Sequence, residues 1–206
     1  MGDRITASPA VTGTLEKNKT TQTNILVEVM GDFNQLEPMR TEWDKFVESI
    51  GGEIFLTYDW SRVWWRYYGA GRQLQIFIFR QDGALVGIIP MFFEKIWLGP
   101  VFIRAAKIVG SDFTISTFTP PIKAEFIREV IQSFLAKLAA EYRWDVLHIG
   151  PISGIFGDCD ELFSLCREYA GAEYRVSKIN NTVQTYFILS GSESESADNL
   201  SKKQKR

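Results

Sequence analysis

Histidine and cysteine are scarce in this chain, with one His and two Cys among 206 residues. That scarcity leaves no His/Cys cluster at metal-ligand spacing, and no metal is expected. Cys159 and Cys166 lie seven apart in a segment with helical spacing. At about 1.5 Å of rise per residue they are too distant to bridge. Both read as buried thiols of a reducing compartment, so a cytoplasmic location is expected. Neither has a base near it in sequence, and G-x-S-x-G does not occur, which removes the common nucleophile arrangements. Charge of neither sign dominates: 23 Lys and Arg face 25 Asp and Glu, a net of -2. There is thus no global electrostatic case for nucleic acid or an anionic surface as partner. Long apolar runs are missing too. The most apolar stretch, residues 84–103, is interrupted by Pro90, Glu94-Lys95 and Gly99-Pro100, short of the ~20 residues that span a bilayer. Residues 1–23 are polar and Thr-rich, with no apolar core of a secretory signal, and read as a disordered leader. No internal repeat occurs.

What the chain has in quantity is aromatic side chains, 14% of the residues, with 15 Phe, 7 Tyr and 6 Trp. With 45% hydrophobic and 23% charged residues, this is the composition of a globular domain with a large core. Ile25-Leu26-Val27-Glu28-Val29 reads as a first strand. Asp32 or Asn34 can cap the next element. There Leu36, Met39, Trp43, Phe46, Val47 and Ile50 recur at helical spacing, Pro38 falls in the first turn, and Gly51-Gly52 closes. Thr57 or Asp59 can cap a second helix carrying Trp60, Val63, Trp64, Trp65, Tyr67 and Tyr68, ended by Gly69. Residues 74–79 and 84–93 flank Asp82-Gly83, a hairpin signal. Residues 97–109 read as further strand, broken at Gly99-Pro100, and Ser111-Asp112-Phe113 as a turn. A short extended piece, 115–118, and Pro120-Pro121 precede a long helix over 123–142, with residues from Phe126 to Ala139 on its buried side. Residues 144–149 read as a buried strand. Asp158 or Asp160 caps a helix through Cys166 ended by Gly171, and 174–179 with 183–189 make a closing pair of strands. The order β-α-α-β-β-β-α-β-α-β-β predicts an α/β (α+β) domain over residues 24–190, a mixed sheet with helices on both faces.

That order resembles the GNAT N-acetyltransferase fold. Phe55-Leu56-Thr57-Tyr58-Asp59-Trp60, followed by Trp64-Trp65 and Tyr68-Gly69, is similar to the opening motif of CelD-like acetyltransferases, a bacterial group linked to cellulose or exopolysaccharide biosynthesis and related to FemAB-type transferases. Leu85-Val86-Gly87-Ile88-Ile89-Pro90-Met91, Gly110-Ser111-Asp112-Phe113 and Trp144-Asp145-Val146-Leu147-His148-Ile149 are similar to later strands and a turn of that group. Leu200-Ser201-Lys202-Lys203-Gln204-Lys205-Arg206 is similar to its entry into a further helix. The resemblance implies two GNAT-like halves. Residues 191–206 would then be a linker and the truncated start of a second GNAT domain, which would lie beyond Arg206 as this domain's partner. It implies acyl transfer from acyl-CoA (acetyl-CoA) to an amine or hydroxyl, on a small-molecule or saccharide acceptor, by the full-length protein. The present fragment would not be catalytic alone.

A GNAT site cradles the coenzyme's pyrophosphate on backbone N–H groups of a Gly-rich turn that opens a helix. The corresponding turn here is Thr117-Phe118-Thr119-Pro120-Pro121-Ile122, where two prolines delete two donors, and no R/Q-x-x-G-x-G/A motif occurs. No cofactor-binding residue is therefore expected in this fragment. Ser111, Asp112 and Phe113, at a strand end where ligand clefts form, are the candidate substrate-binding residues, with Trp60 and Trp64 as a stacking face for a sugar. Asp in a turn also commonly bonds its own backbone, and Trp-rich helix faces commonly pack in a core. His148, in mid-strand, reads as a partly buried strand residue. The basic cluster from Lys202 to Arg206 reads as a solvated helix face, so no nucleic acid is expected as partner.

Overall fold

The computed structural model describes residues 25–112, 119–152 and 159–179. Strand β1 (Leu26–Met30) is followed by a 3₁₀ turn (Phe33–Met39), α1 (Arg40–Ser49), a second 3₁₀ turn (Ile54–Leu56) and α2 (Tyr58–Tyr68). Then come β2 (Gln73–Gln81), β3 (Ala84–Leu98) and β4 (Val101–Ile108). A 3₁₀ turn (Ala124–Phe126) leads into α3 (Ile127–Glu141), β5 (Val146–His148) and α4 (Cys159–Ala170). The five strands lie in chain order, antiparallel from β1 to β4, with β5 parallel to β4.

Side-chain alternation divides the core in two. Leu74, Ile76 and Ile78 of β2 and Ile88 and Phe92 of β3 pack on α1 and α2 through Trp43, Phe46, Val47 and Trp64. Phe77, Phe79, Ile89, Met91 and Ala106 face the other way, onto Val130, Ile131, Phe134, Leu135 and Leu138 of α3 and Leu162 and Leu165 of α4. Helices thus cover both faces of a mixed sheet, as the element order predicts. A bulge re-phases β3. Phe79 pairs with Gly87 and Arg80 with Leu85, so Val86 is the extra residue. Leu85 thereby shares a face with Ile88, three positions on, while Val86 joins the α3 side.

The β2–β3 hairpin turns at Asp82 and Gly83, both at positive φ (50° and 82°), the backbone of a two-residue primed turn. Gly99-Pro100 is the turn of a second hairpin, and β3 runs on through Trp97 and Leu98 to reach it. The expected strand over 97–109 is corrected accordingly.

Other boundaries move for local reasons. The first helix starts at Arg40, because Pro38 sits in the 3₁₀ turn, whose Asp32 cap accepts from the Asn34 N–H at 2.9 Å. The long helix starts at Ile127 after its own 3₁₀ turn, and Ala139 lies on its exposed side. The expected strand over 144–149 shrinks to three half-exposed residues at β5. Residues 174–179 form no strand. The expectations for residues 1–23, 115–118, Asp158, 183–189 and 191–206 fall outside the described residues.

One edge of β3 is filled by two different segments. β4 pairs with it from Met91 to Leu98, and the Val109 N–H still reaches Pro90 O at 2.8 Å. The chain then leaves the sheet and returns at Pro121. Pro121 O accepts from the Ile88 N–H and the Lys123 N–H donates to Val86 O, both at 2.9 Å, around an antiparallel Gly87–Ile122 bridge. Pro90 lies where these two ladders meet, so its missing N–H costs no pairing.

Candidate functional site

Two features carry polar chemistry. The first begins with a phase anomaly: Glu94 of β3 and Lys107 of β4 occupy positions that should continue the apolar face of Ile88 and Phe92. Lys107 is registered opposite Phe92 and Glu94 opposite Ala105. The two side chains meet, Lys107 Nζ to Glu94 Oε1 at 2.7 Å. Arg72, from the turn between α2 and β2, bonds Glu94 Oε2 through Nε at 2.9 Å and Asp112 Oδ2 at 3.0 Å. Asp112, just past β4, closes the ring by reaching Lys107 Nζ at 3.2 Å. Four alternating charges thus form a closed, net-neutral circuit. Its side chains keep 13% (Arg72), 15% (Glu94), 18% (Lys107) and 17% (Asp112) of their exposure. The Arg72 guanidinium also lies 4.6 Å from the Phe92 ring centroid and 6.0 Å from that of Trp64, a cation–π support.

Burial opposes the Lys107 charge, but the hydrogen bonds to Glu94 and Asp112 together outweigh it and hold its pKa above the ordinary lysine value. His148, registered beside Lys107 in the parallel pairing, is pushed the other way. Burial first and the Lys107 charge second lower its pKa, against a smaller opposing effect of Asp112. The imidazole is accordingly neutral at pH 7.

The structure therefore brings Asp112 and Trp64 together. The Trp64 indole N–H donates to Asp112 O at 3.3 Å. Trp64 is only 4% exposed, packed against Tyr68 and Phe92, so its ring faces are occupied by the core. Trp60 is half-buried and sits edge-on to Phe55 at 5.6 Å. The two share a core-facing stripe, whereas Val63 and Tyr67 of the same helix are exposed. The Ser111 N–H donates to Ile108 O at 3.0 Å, completing the turn after β4. Phe113 lies outside the described residues. Arg72, Glu94 and Lys107 escaped the sequence reading. The signal that could have found them is a charged residue at the buried phase of an otherwise apolar strand.

The second feature is a cleft of about 760 Å³, a size suited to a small ligand. It lies between the α1–α2 connection, the 119–125 segment, the start of α3, Ile152 and α4. Ile50, Leu56, Pro120, Pro121, Ile122, Ile127, Ile152 and Leu162 give it an apolar lining; Ser49, Glu53, Thr119, Lys123 and Glu125 are its polar ones.

An acyl-CoA pyrophosphate needs free amides ahead of a helix. Pro120 and Pro121 have none. The Lys123 amide is committed to Val86 O, that of Phe126 to Lys123 O and that of Ile127 to Ala124 O. Two carboxylates, Glu53 and Glu125, stand against one ammonium, Lys123. The segment ahead of α3 is therefore poor in free donors and in positive charge for a pyrophosphate. The cleft suits a neutral or cationic ligand with an apolar body. Among the described residues there is no group of His, Cys, Asp and Glu that could hold a metal ion.

No family model matches the sequence, and no curated protein matches it. The fold is similar to several solved structures. One is an aminoglycoside acetyltransferase from an uncultured soil metagenomic sample, in complex with trehalose; it is 10% identical over 80% of this chain and 96% of that one, with a TM-score of 0.46. Another is a ribosomal-protein-alanine N-acetyltransferase from Brucella melitensis biovar Abortus 2308, 12% identical over 79% of this chain and 100% of that one, TM-score 0.45. A glucosamine-6-phosphate N-acetyltransferase from Arabidopsis thaliana is 12% identical over 79% of this chain and 99% of that one, TM-score 0.41. The likeness is one of element arrangement.

Proposed function

We propose that this chain is the acceptor-side half of a CelD-like acyltransferase with a GNAT-type fold. Its cleft holds an amine- or hydroxyl-bearing small molecule of saccharide type, and the acyl-CoA site belongs to a second GNAT domain. In this reading Ser111, Asp112 and Phe113 are acceptor-binding residues outside the lining of the cleft, and Asp112 is held in place by Arg72 and Lys107. Trp64 supports Asp112 from the core side through its indole N–H, and Trp60 packs against the same core. The protein works in a reducing cytoplasm, in keeping with the two free cysteines.

The observation that carries the reading is the stitching of Pro121 and Lys123 onto Val86 and Ile88. The Lys123 amide is spent inside the sheet and Pro120 and Pro121 have none to offer, while Glu53 and Glu125 line the space in front. Anions are disfavoured there and an ammonium is favoured.

Titration calorimetry with acetyl-CoA and, separately, with glucosamine tests this. Glucosamine is expected to bind, and Glu53→Gln with Glu125→Gln to weaken it several-fold. Acetyl-CoA is expected to bind no tighter than about millimolar, roughly −4 kcal/mol. Tight acetyl-CoA binding, abolished by acidic substitution of Lys123, would refute the assignment of this half to the acceptor.

A further inference from the structure

β3 and β4 outrun the rest of the sheet. β2 begins opposite Phe93, and β5 begins opposite Ala105. Residues 95–104 stand beyond both as a two-stranded ribbon closed by Gly99-Pro100. Its sequence is Lys95-Ile96-Trp97-Leu98-Gly99-Pro100-Val101-Phe102-Ile103-Arg104. Charges stand only at its two ends, both positive, and everything between is uncharged.

Folding brings those ends together. Lys95 is registered directly opposite Arg104, a like-charge pairing that ordinarily destabilises a sheet. Both cations rest on one ring, Lys95 Nζ at 5.0 Å and the Arg104 guanidinium at 5.3 Å from the Phe102 centroid. Asp145 is 3.9 Å from the Arg104 guanidinium, and its Oδ2 is also bonded to the Arg104 backbone N–H at 2.7 Å. Beyond this collar, Trp97, Leu98 and Val101 are 64%, 55% and 60% exposed.

We propose that this ribbon is a docking arm for an anionic lipid bilayer, seating its apolar tip in the interface with Lys95 and Arg104 at headgroup level. The dimensions agree. Three residue steps from collar to turn at about 3.4 Å each give roughly 10 Å, the depth to which interfacial segments bury their apolar face. Trp at the tip suits the headgroup boundary. Register pairs from Ile96–Ile103 to Leu98–Val101 satisfy the backbone groups that face the partner strand. Charge selects the occupant. A second copy of the chain, pairing arm to arm, would gather four cations with no acid among residues 95–104. Anionic headgroups neutralise both cations and cover the apolar tip at once. This is surface docking; among the described residues no helix is long and apolar enough to cross a membrane.

The test is co-sedimentation of the full chain with vesicles of phosphatidylcholine containing about 30% phosphatidylserine, against phosphatidylcholine alone. The wild type is expected to pellet with the anionic vesicles and to be released by salt. Lys95→Gln and Arg104→Gln should each lower that partition about five-fold, from the charge contribution of a single basic residue near the surface. Leu98→Ser and Val101→Ser, at exposed turn positions, should lower it on both vesicle types. Brominated acyl chains should quench a fluorescence component that Trp97→Phe removes. The arm is refuted if the wild type stays in the supernatant, or if Leu98→Ser pellets like the wild type. A stable dimer lost in Trp97→Ser, or binding to a single-stranded oligonucleotide but not to vesicles, also overturns it, in favour of those partners.

Discussion

Lys107 Nζ stands 2.7 Å from Glu94 Oε1 on the sheet face that also carries Phe92. Neither charge could occupy that face alone, because a largely buried ion is tolerated only when paired and hydrogen-bonded. Arg72 and Asp112 complete the circuit and thereby tie the α2–β2 turn and the turn after β4 to the sheet.

Removing one member should therefore cost more than removing a pair. Lys107→Met alone leaves Glu94 and Asp112 sharing Arg72, and is expected to destabilise by about 2 kcal/mol. The double variant Lys107→Met with Glu94→Leu keeps the Arg72–Asp112 pair and should lose about 1–2 kcal/mol less than the sum of its parts. Urea unfolding of the four proteins of the cycle measures this, and additive losses would show that the ring is not a unit. The lysine's raised pKa gives a sign as well. Its stabilisation is fully present below the unfolded value, about 10.4, and fades as pH climbs through the higher folded one.

His148 predicts an acid effect distinct from carboxylate titration. Burial and Lys107 keep its folded pKa below the unfolded value, which is about 6.5. As pH falls through 6.5, the unfolded chain takes up a proton that the folded chain refuses, so stability present above that pH is progressively lost. The urea midpoint should fall between pH 7 and pH 5.5, and His148→Gln should flatten that slope. A midpoint that rises on acidification, or an unchanged slope in the variant, contradicts the placement of this imidazole.

How far these features could be read without coordinates depends on range. Asp82-Gly83 declared its hairpin because only certain residues tolerate positive φ at both turn positions, a purely local demand. The helices with Trp43 and Phe134 were legible from spacing, since burial on one face imposes the period. Pro38 was misplaced by a turn because its fixed φ suits a 3₁₀ start as well as an α start. Asp112 was singled out as a residue at a strand end, yet its partners come from 40 residues earlier, at Arg72, and from β4, at Lys107. No periodicity joins them. Pro120-Pro121 correctly signals a loss of amide donors, but its pairing with β3 depends on where the chain returns, which no local pattern encodes.

Gly87 is the residue that lets that return happen. A Cβ built there would lie 3.1 Å from Val130 Cγ1 and 3.5 Å from Ile122 Cγ1. Both neighbours are fixed, Val130 on the buried face of α3 and Ile122 by its bridge to Gly87 itself. Gly87→Ala asks Val130 to yield by a few tenths of an ångström and should cost about 1 kcal/mol. Gly87→Val adds branched bulk that neither wall can admit, and should cost about 2–3 kcal/mol. The loss should be local before it is global. The Ile88 amide, which donates to Pro121 O at 2.9 Å, is expected to exchange its hydrogen faster in Gly87→Val relative to amides of α1 and α2, because the 121–123 segment is levered off the β3 edge while the opposite core is untouched. Uniform acceleration across the described elements would mean that the segment is no separate unit. Protection of Ile88 at the wild-type level would mean that the stitch survives without a glycine.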